Sequence, residues 1–474
     1  MRISDIYIAN YKILQDFSIK KNDEAVSVFI GINGSGKSSL LEAVALIFSQ
    51  TYQYYIDGNK SIDPFSDFSI TYHIWPTTVV EEDAVSQETR TDYLIVTISS
   101  STKLKEKFKI LIDGNIPEAK KGVDIKEVLR KLLPANVIIY YAGLNDTMQN
   151  LCSTHEQSFS KQLRENKVEG LRPLFYFRPQ HFKPLLLSLL SFEYGNVPTY
   201  INEYLKIESL VSFEIKIKKP IWGKGKSEKF WGADGAVSTF LTLMKENSVN
   251  TLFEQDKVVF QFEGIASLYS MRDYYGEERK FFQMLDIALF DDLLDSIDIT
   301  LRKDGVEIKA ENLSEGEQQF LIIKCLNELL ISPFTLLLFD EPDTFLHPKL
   351  QTQFISELVE YSYNACYYIT THSSILVSNL QKGNLYSMIR GRVKQIEGHF
   401  YGRAYGDNLE DIMDTMPRNE EAQKLLNEIF DLIDSQDKKK LAQAKDKIKE
   451  FEILYGNDDS EILRANSLMS FFED

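Results

Sequence analysis

The chain has 474 residues, 43% hydrophobic and 26% charged, proportions of an ordinary globular protein that argue against a disordered, collagen-like or disulfide-stapled chain. At roughly 150 residues per domain, the length suggests about three domains or one large domain with insertions. Seventy acids against fifty-three bases leave a net charge of −17, which disfavours indiscriminate contact with phosphate backbones.

Cys152, Cys325 and Cys366 have no metal-binding spacing, which fits a reducing compartment. The first residues lack the apolar run of a signal peptide, and Pro184–Leu190 is too short to span a bilayer. A cytoplasmic chain with no membrane partner is therefore expected.

Ile3–Ile8 alternates polar and apolar positions, and Val26–Ile30 is a short β-rich run ending at a glycine; both predict strands. A helix is predicted from about Lys37, with Leu40, Leu41, Val44, Ala45, Ile47 and Phe48 on one face. Between strand and helix, Gly31-Ile32-Asn33-Gly34-Ser35-Gly36-Lys37-Ser38 fits the phosphate-loop pattern G-x4-G-K-[ST]. Glycines there let backbone N–H groups turn inward around phosphates, the lysine neutralises them, and the serine hydroxyl suits Mg²⁺ at a helix N-terminus. Asn33, Gly34, Ser35, Gly36, Lys37, Ser38 and Ser39 are thus the candidate nucleotide-binding residues, with Ser38 also a candidate metal ligand.

Tyr93–Ile98 and Phe108–Ile112 predict outer strands of the same domain, and Val137–Tyr141 a buried one. Pro184–Phe192 predicts an apolar helix within a middle region that is otherwise weakly patterned up to about residue 290. Ile215–Lys229 carries six lysines, Lys216, Lys218, Lys219, Lys224, Lys226 and Lys229, against Glu228, with Trp222 and Trp231 beside its glycines. It is either a basic hairpin able to hold DNA or RNA or a solvated lysine-rich loop.

Ile297–Leu301 and Val306–Ile308, joined through Lys303-Asp304-Gly305, predict a hairpin. Then come a helix over Glu315–Leu330, a strand over Thr335–Phe339, a helix near Leu350–Tyr361 and a strand over Cys366–Thr370. That alternation predicts a largely parallel, helix-covered sheet. The apolar strand before Asp340-Glu341-Pro342 delivers two acids at its carboxyl end: Asp340 for the Mg²⁺ shell, Glu341 to orient and polarise the attacking water. From Tyr401 onward eighteen acids face ten bases, and amphipathic spacing around Leu425–Ile433 and Leu441–Phe451 predicts an acidic helical extension.

Asn312-Leu313-Ser314-Glu315-Gly316-Glu317 can be read as a plain capping box. In this order with the other motifs, it resembles the signature motif of ABC-type ATPases, in the form found in the SMC, RecF and OLD-like branch. The resemblance implies that Ser314, Gly316 and Glu317 meet the γ-phosphate of ATP bound by another subunit. It further implies that Asp343 lies in the D-loop and that His372, after Tyr368–Thr371, contacts the γ-phosphate as a second catalytic residue. His347 in Leu346-His347-Pro348 reads as structural, Asn10-Tyr11-Lys12 resembles an element near the nucleotide, and Gln50 and Gln53 are candidates for the Q-loop glutamine.

The fold implied is α/β: an ABC-type P-loop ATPase head with a mixed, mainly parallel sheet, a compact α/β insertion and a helical C-terminal extension. The expected ranges are 1–140 and 291–400 for the two parts of the head, 141–290 for the insertion and 401–474 for the extension. The middle region lacks the sustained heptads of an SMC arm. The roughly 100 residues after His372 are too few, and too helical in pattern, for the nuclease domain of OLD proteins.

Leu174–His181, its apolar helix and the acidic C-terminal helices resemble the ATPase subunit of Septu-type antiphage systems, a group also found with retrons. That resemblance implies an ATP-hydrolysing, Mg²⁺-dependent regulator that forms a head-to-tail dimer or higher oligomer and controls a separate nuclease of HNH type. A RecF- or SMC-like ATPase acting directly on DNA is the alternative.

Overall fold

The computed structural model describes residues 1–22, 24–75, 93–102, 106–119, 123–143, 146–164, 172–398, 400–413 and 418–472. They fall into two compact units, Met1–Gly398 and His399–Asp474.

The larger unit begins with strands β1 (Arg2–Tyr11), β2 (Leu14–Ile19) and β3 (Val26–Ile30), then helix α1 (Lys37–Tyr55). Next come β4 (Phe68–Ile74), β5 (Leu94–Ser100), β6 (Phe108–Ile112), α2 (Ile125–Leu132), β7 (Val137–Tyr141), α3 (Asp146–Arg164) and β8 (Leu174–Tyr176). The middle holds α4 (Phe182–Leu190), α5 (Asn196–Glu203), β9 (Ile207–Lys218), α6 (Gly235–Asn247), β10 (Asn250–Phe253), β11 (Lys257–Glu263), α7 (Ala266–Tyr275) and α8 (Glu278–Phe290). After it follow β12 (Leu294–Lys303), β13 (Val306–Lys309), α9 (Glu315–Leu330), β14 (Thr335–Asp340), α10 (Pro348–Glu360), β15 (Ala365–Thr370), α11 (Ser374–Ser378), β16 (Asn384–Ile389) and β17 (Arg392–Gln395).

The central sheet has the order β17-β16-β3-β15-β14-β7-β8, parallel except for β17. β3, β14 and β15 are buried along their whole length. Sheets covered on both faces need such unbroken apolar runs. An antiparallel sheet, β2-β1-β4-β5-β6, shares one core with α1: Ile6, Ile70 and Ile98 cluster with Leu41, Phe48 and Leu338. Because β3, β15, β14 and β7 run parallel side by side, their carboxyl ends emerge along one edge of the sheet, the place where ligands bind in open α/β folds.

The third sheet, β10-β11-β9-β12-β13, is antiparallel. Two of its strands, β12 and β13, come from the sequence range expected to belong to the head, and β8, expected in the insertion, joins the central sheet. The hairpin turn between β12 and β13 holds Asp304 and Gly305 at positive φ, as a two-residue turn requires.

The basic segment is not a hairpin. Ile215–Lys218 is the end of β9, the middle strand of the third sheet, and a loop and a turn through Ser227–Gly232 follow it. Lys216 pairs with Asp298 at 2.5 Å, Lys218 with Asp292 at 2.6 Å and Lys219 with Asp256 at 3.6 Å. Trp231 is buried and donates its indole N–H to the Gln255 carbonyl, so it is a core anchor with no face free for stacking.

The helices α3 and α8 are tied by a buried ion cluster. Arg172 reaches Glu156 at 3.0 Å and Asp286 at 2.9 Å, and Arg178 closes on Glu156 at 2.6 Å.

The smaller unit holds α12 (Tyr405–Asp411), α13 (Glu420–Asp434), α14 (Lys438–Tyr455) and α15 (Ser460–Phe471). Asn419, Asp437 and Asp459 cap the last three, and Ile429, Ile433, Ile448, Phe451 and Ile462 fill their shared core. Among the described residues no helix is long and apolar enough to cross a membrane.

Candidate functional site

The loop between β3 and α1 has a shape that its sequence requires. Gly31 sits at φ +152°, and a Cβ there would lie 2.3 Å from the Met388 carbonyl oxygen, so no other residue fits. Lys37 donates to the Gly31 carbonyl at 2.8 Å, which curls its ammonium back over the loop. Burial pulls the Lys37 pKa down, against the pull of Glu341 and Asp340. The hydroxyl of Ser35, within the loop, is buried and has no hydrogen-bond partner. A phosphate oxygen would satisfy it.

Opposite the loop, β14 ends in Asp340 and Glu341. Ser38 donates to one Asp340 oxygen at 2.8 Å, and Thr370, on the neighbouring strand, donates to the other at 2.5 Å. Burial raises the Asp340 pKa. Ser38 and Asp340 together form the hard-oxygen donor pair that Mg²⁺ prefers. Among the described residues no group of three or more His, Cys, Asp and Glu could hold a metal unaided, so Mg²⁺ here would share its shell with phosphate oxygens and water. Bound there, Mg²⁺ would supply charge neutralisation at the phosphates.

Glu341 has φ +49°, a left-handed conformation that costs a non-glycine residue roughly 1–2 kcal/mol. Its amide is held by the Thr370 carbonyl at 3.1 Å and the Thr370 hydroxyl at 3.0 Å. The twist sends the Glu341 carboxylate into the cleft, 3.0 Å from His372 Nε2. The same nitrogen lies 2.8 Å from Lys37 Nζ. Burial and the Lys37 charge hold the His372 pKa below its usual value although Glu341 opposes them. A single ring nitrogen accepts from Lys37 or donates to Glu341, never both. A phosphate that draws Lys37 away therefore frees His372 to donate.

Lys37, Ser38, Asp340 and Glu341 border a cleft of about 460 Å³ lined by Asn33–Ser39, Tyr141, Asp340, Glu341 and Phe345; His372 is not part of that lining. Ser314 and Gly316 do not line it. Ser314 caps α9, accepting from the Glu317 amide at 3.3 Å, while Glu317 accepts from the Ser314 amide at 3.0 Å and pairs with Lys303. Gly316 packs so closely on the Phe345 carbonyl that a Cβ would sit 2.9 Å from it. The capping-box and signature readings thus describe one local structure: the box fixes a helix N-terminus with a glycine flush against the catalytic turn.

Asp343 is buried; it accepts from the Thr371 hydroxyl at 2.9 Å, and burial lifts its pKa to about 6. His347 caps α10 by accepting from the Lys349 amide. Lys12 and Tyr11 both bind Glu42 on α1. Gln50 and Gln53 do not reach the cleft: Gln50 bonds to Asp63 and Phe65, Gln53 to Ser49. Thr370, Thr371, Tyr141 and Lys303 were not singled out by the sequence. Only the adjacency of Thr370-Thr371 to His372 hinted at the first two.

Residues 1–171 match a family model described as AAA ATPase domain, and residues 205–378 match one described as AAA domain, putative AbiEii toxin, Type IV TA system. The Retron Vc95 probable ATPase of Vibrio cholerae serotype O1 biovar El Tor is 24% identical over 80% of this chain and 72% of its own. The Retron Ec83 probable ATPase of Escherichia coli is 21% identical over 92% of this chain and 81% of its own. Among solved structures, the SMC head domain from Thermotoga maritima matches with a TM-score of 0.35 at 14% identity, over 84% of this chain and all of that one. The recombination mediator RecF matches with a TM-score of 0.34 at 13% identity, over 83% of this chain and 98% of that one.

Proposed function

Starting from an ATPase with an ABC/SMC-like head, we propose that the chain is the regulatory ATPase of a defence complex. ATP closes its heads into a dimer, and that closure controls a separate nuclease. The observation that carries the dimer is the division of the site. Lys37, Ser38, Asp340 and Glu341 converge on one cleft, with His372 touching Lys37 and Glu341 from outside the lining, while Ser314 and Gly316 form a capped helix end that is also outside it. Amides at a helix N-terminus with a neighbouring hydroxyl suit a phosphate presented from outside, by the cleft of a second copy.

Within the cleft, the P-loop amides and Lys37 hold the phosphates, Ser38 and Asp340 provide the oxygens for Mg²⁺, and Glu341 takes the proton of the attacking water. His372 positions Glu341 once Lys37 turns to the γ-phosphate. The defence context is supported by the two relatives named as retron ATPases. The acidic small unit offers a surface suited to a basic partner. Direct action on DNA is less well supported, because Lys216, Lys218 and Lys219, three of the six lysines of the basic segment, are already paired with Asp298, Asp292 and Asp256.

The test is to purify the chain together with a nuclease encoded beside it and assay cleavage with wild-type protein and with Lys37→Ala. A nuclease that stays bound and whose activity depends on Lys37 supports the reading. Salt-sensitive DNA binding by the isolated chain, with no nuclease retained, would transfer support to the DNA-acting alternative.

A further inference from the structure

The carboxylate of Asp340 and the backbone of Glu341 share one partner. Thr370 is fully buried at the end of β15, where parallel pairing places it directly beside Asp340. Its single hydroxyl proton goes to Asp340 at 2.5 Å, and its oxygen accepts the Glu341 amide at 3.0 Å. The other Asp340 oxygen is taken by Ser38. The Asp340 carboxylate thus has both oxygens directed, one toward the P-loop helix and one toward β15, and cannot rotate without breaking a bond.

The same hydroxyl clamps the residue with the unfavourable backbone conformation. Glu341 holds φ +49° immediately after a regular strand, and its amide finds both its acceptors on Thr370. We infer that Thr370 is the positioning residue of ATP hydrolysis: one hydroxyl sets the rotation of the metal-binding carboxylate and the direction of the general base together. It touches neither nucleotide nor water, and acts through Asp340 and Glu341. The sequence conceals this role, since it depends on β15 lying next to β14 in the sheet.

This inference rests on the ATP-site reading above, and Lys37→Ala separates the two. Thr370→Val keeps the volume and removes the hydroxyl; Thr370→Ser keeps the hydroxyl and removes a methyl. Steady-state ATPase assays, binding of a fluorescent ATP analogue with and without Mg²⁺, and thermal melting are measured for each. The expected result for Thr370→Val is a kcat at least tenfold lower with KM within about twofold, since misaligned catalytic groups lose rate more than binding. Affinity without Mg²⁺ should be unchanged, and the gain in affinity from adding Mg²⁺ should shrink. Thr370→Ser should recover most of kcat.

If Thr370→Val melts early, Thr370→Cys, similar in size to serine with a weak hydrogen-bonding thiol, should show the same kcat loss. The inference is overturned if valine keeps at least half of kcat, or if serine falls as far as valine. Hydrolysis that survives Lys37→Ala would instead remove the site reading itself.

Discussion

Replacing Arg172 by methionine isolates the worth of the buried ion cluster. The Arg172 guanidinium lies 4.0 Å above the Phe290 ring centroid and 4.8 Å from that of Phe175, so methionine keeps apolar contact while the charge goes. Glu156 would retain Arg178 at 2.6 Å. Asp286 would retain His181, 3.5 Å away, which burial holds well below its usual pKa and thus neutral, and the more distant charge of Arg178. One carboxylate, 6% exposed, is left without an ion-pair partner of its own. Orphaning a buried charge costs about 3–5 kcal/mol, a large part of the roughly 5–15 kcal/mol that stabilises a typical domain.

Urea unfolding at pH 7.5 should show that loss, and Arg172→Met/Asp286→Asn, which removes the orphan, should recover most of it. Burial already raises the Asp286 pKa to about 6 despite Arg172, and losing Arg172 raises it further, so the penalty in the single variant should diminish as pH falls from 7.5 toward 6, where Asp286 takes up a proton. A loss under about 1 kcal/mol, or a double variant no more stable than the single one, would refute the reasoning.

Three further outcomes are expected. Gly31→Ala places a methyl 2.3 Å from the Met388 carbonyl and should weaken ATP binding at least tenfold by isothermal titration; unchanged affinity would count against the loop as the phosphate site. Asp343 has a folded-state pKa of about 6 against an ordinary 3.8, so it binds its proton more tightly when folded, and the stability it contributes falls as pH rises from about 4 to 6. Asp343→Asn should therefore be more stable than wild type in urea unfolding at pH 7.5, by up to about 3 kcal/mol, yet not at pH 4, while losing ATPase activity; equal pH slopes would contradict this. Neutralising Lys216, Lys218 and Lys219 together should leave DNA retention in a filter assay within twofold, because those charges are already paired; a loss of tenfold or more would favour a DNA-binding sheet.

Part of the candidate site was legible because phosphate chemistry dictates local spacing: Gly31–Ser38 and Asp340-Glu341 each declare themselves within a few residues, whereas Ser314–Gly316, read alone, is a capping box and takes a phosphate role only through the resemblance. The helix over Glu315–Leu330 and the strand expected over Thr335–Phe339, observed over Thr335–Asp340, followed from their runs of apolar residues. What escaped depends on partners distant in the chain. The lysines of β9 read as a free basic patch because Asp256, Asp292 and Asp298 stand some 40 to 80 positions away. Thr370 and Thr371 gain their roles only through the order of β14 and β15 in the sheet. Gln50 and Gln53 were candidates for the Q-loop glutamine only through the resemblance, and they lie on the far half of α1, where Gln50 bonds to Asp63 and Phe65 and Gln53 to Ser49.

The central claim is that two copies share ATP, one supplying Lys37 and Glu341, the other Ser314 and Gly316. Light scattering of Glu341→Gln with saturating ATP and Mg²⁺ tests it most directly, since that variant binds the nucleotide but cannot activate water. The account predicts a dimer that forms only with ATP and is lost when Ser314→Ala is added. A monomer at saturating ATP, or a dimer indifferent to both ATP and Ser314, would contradict it.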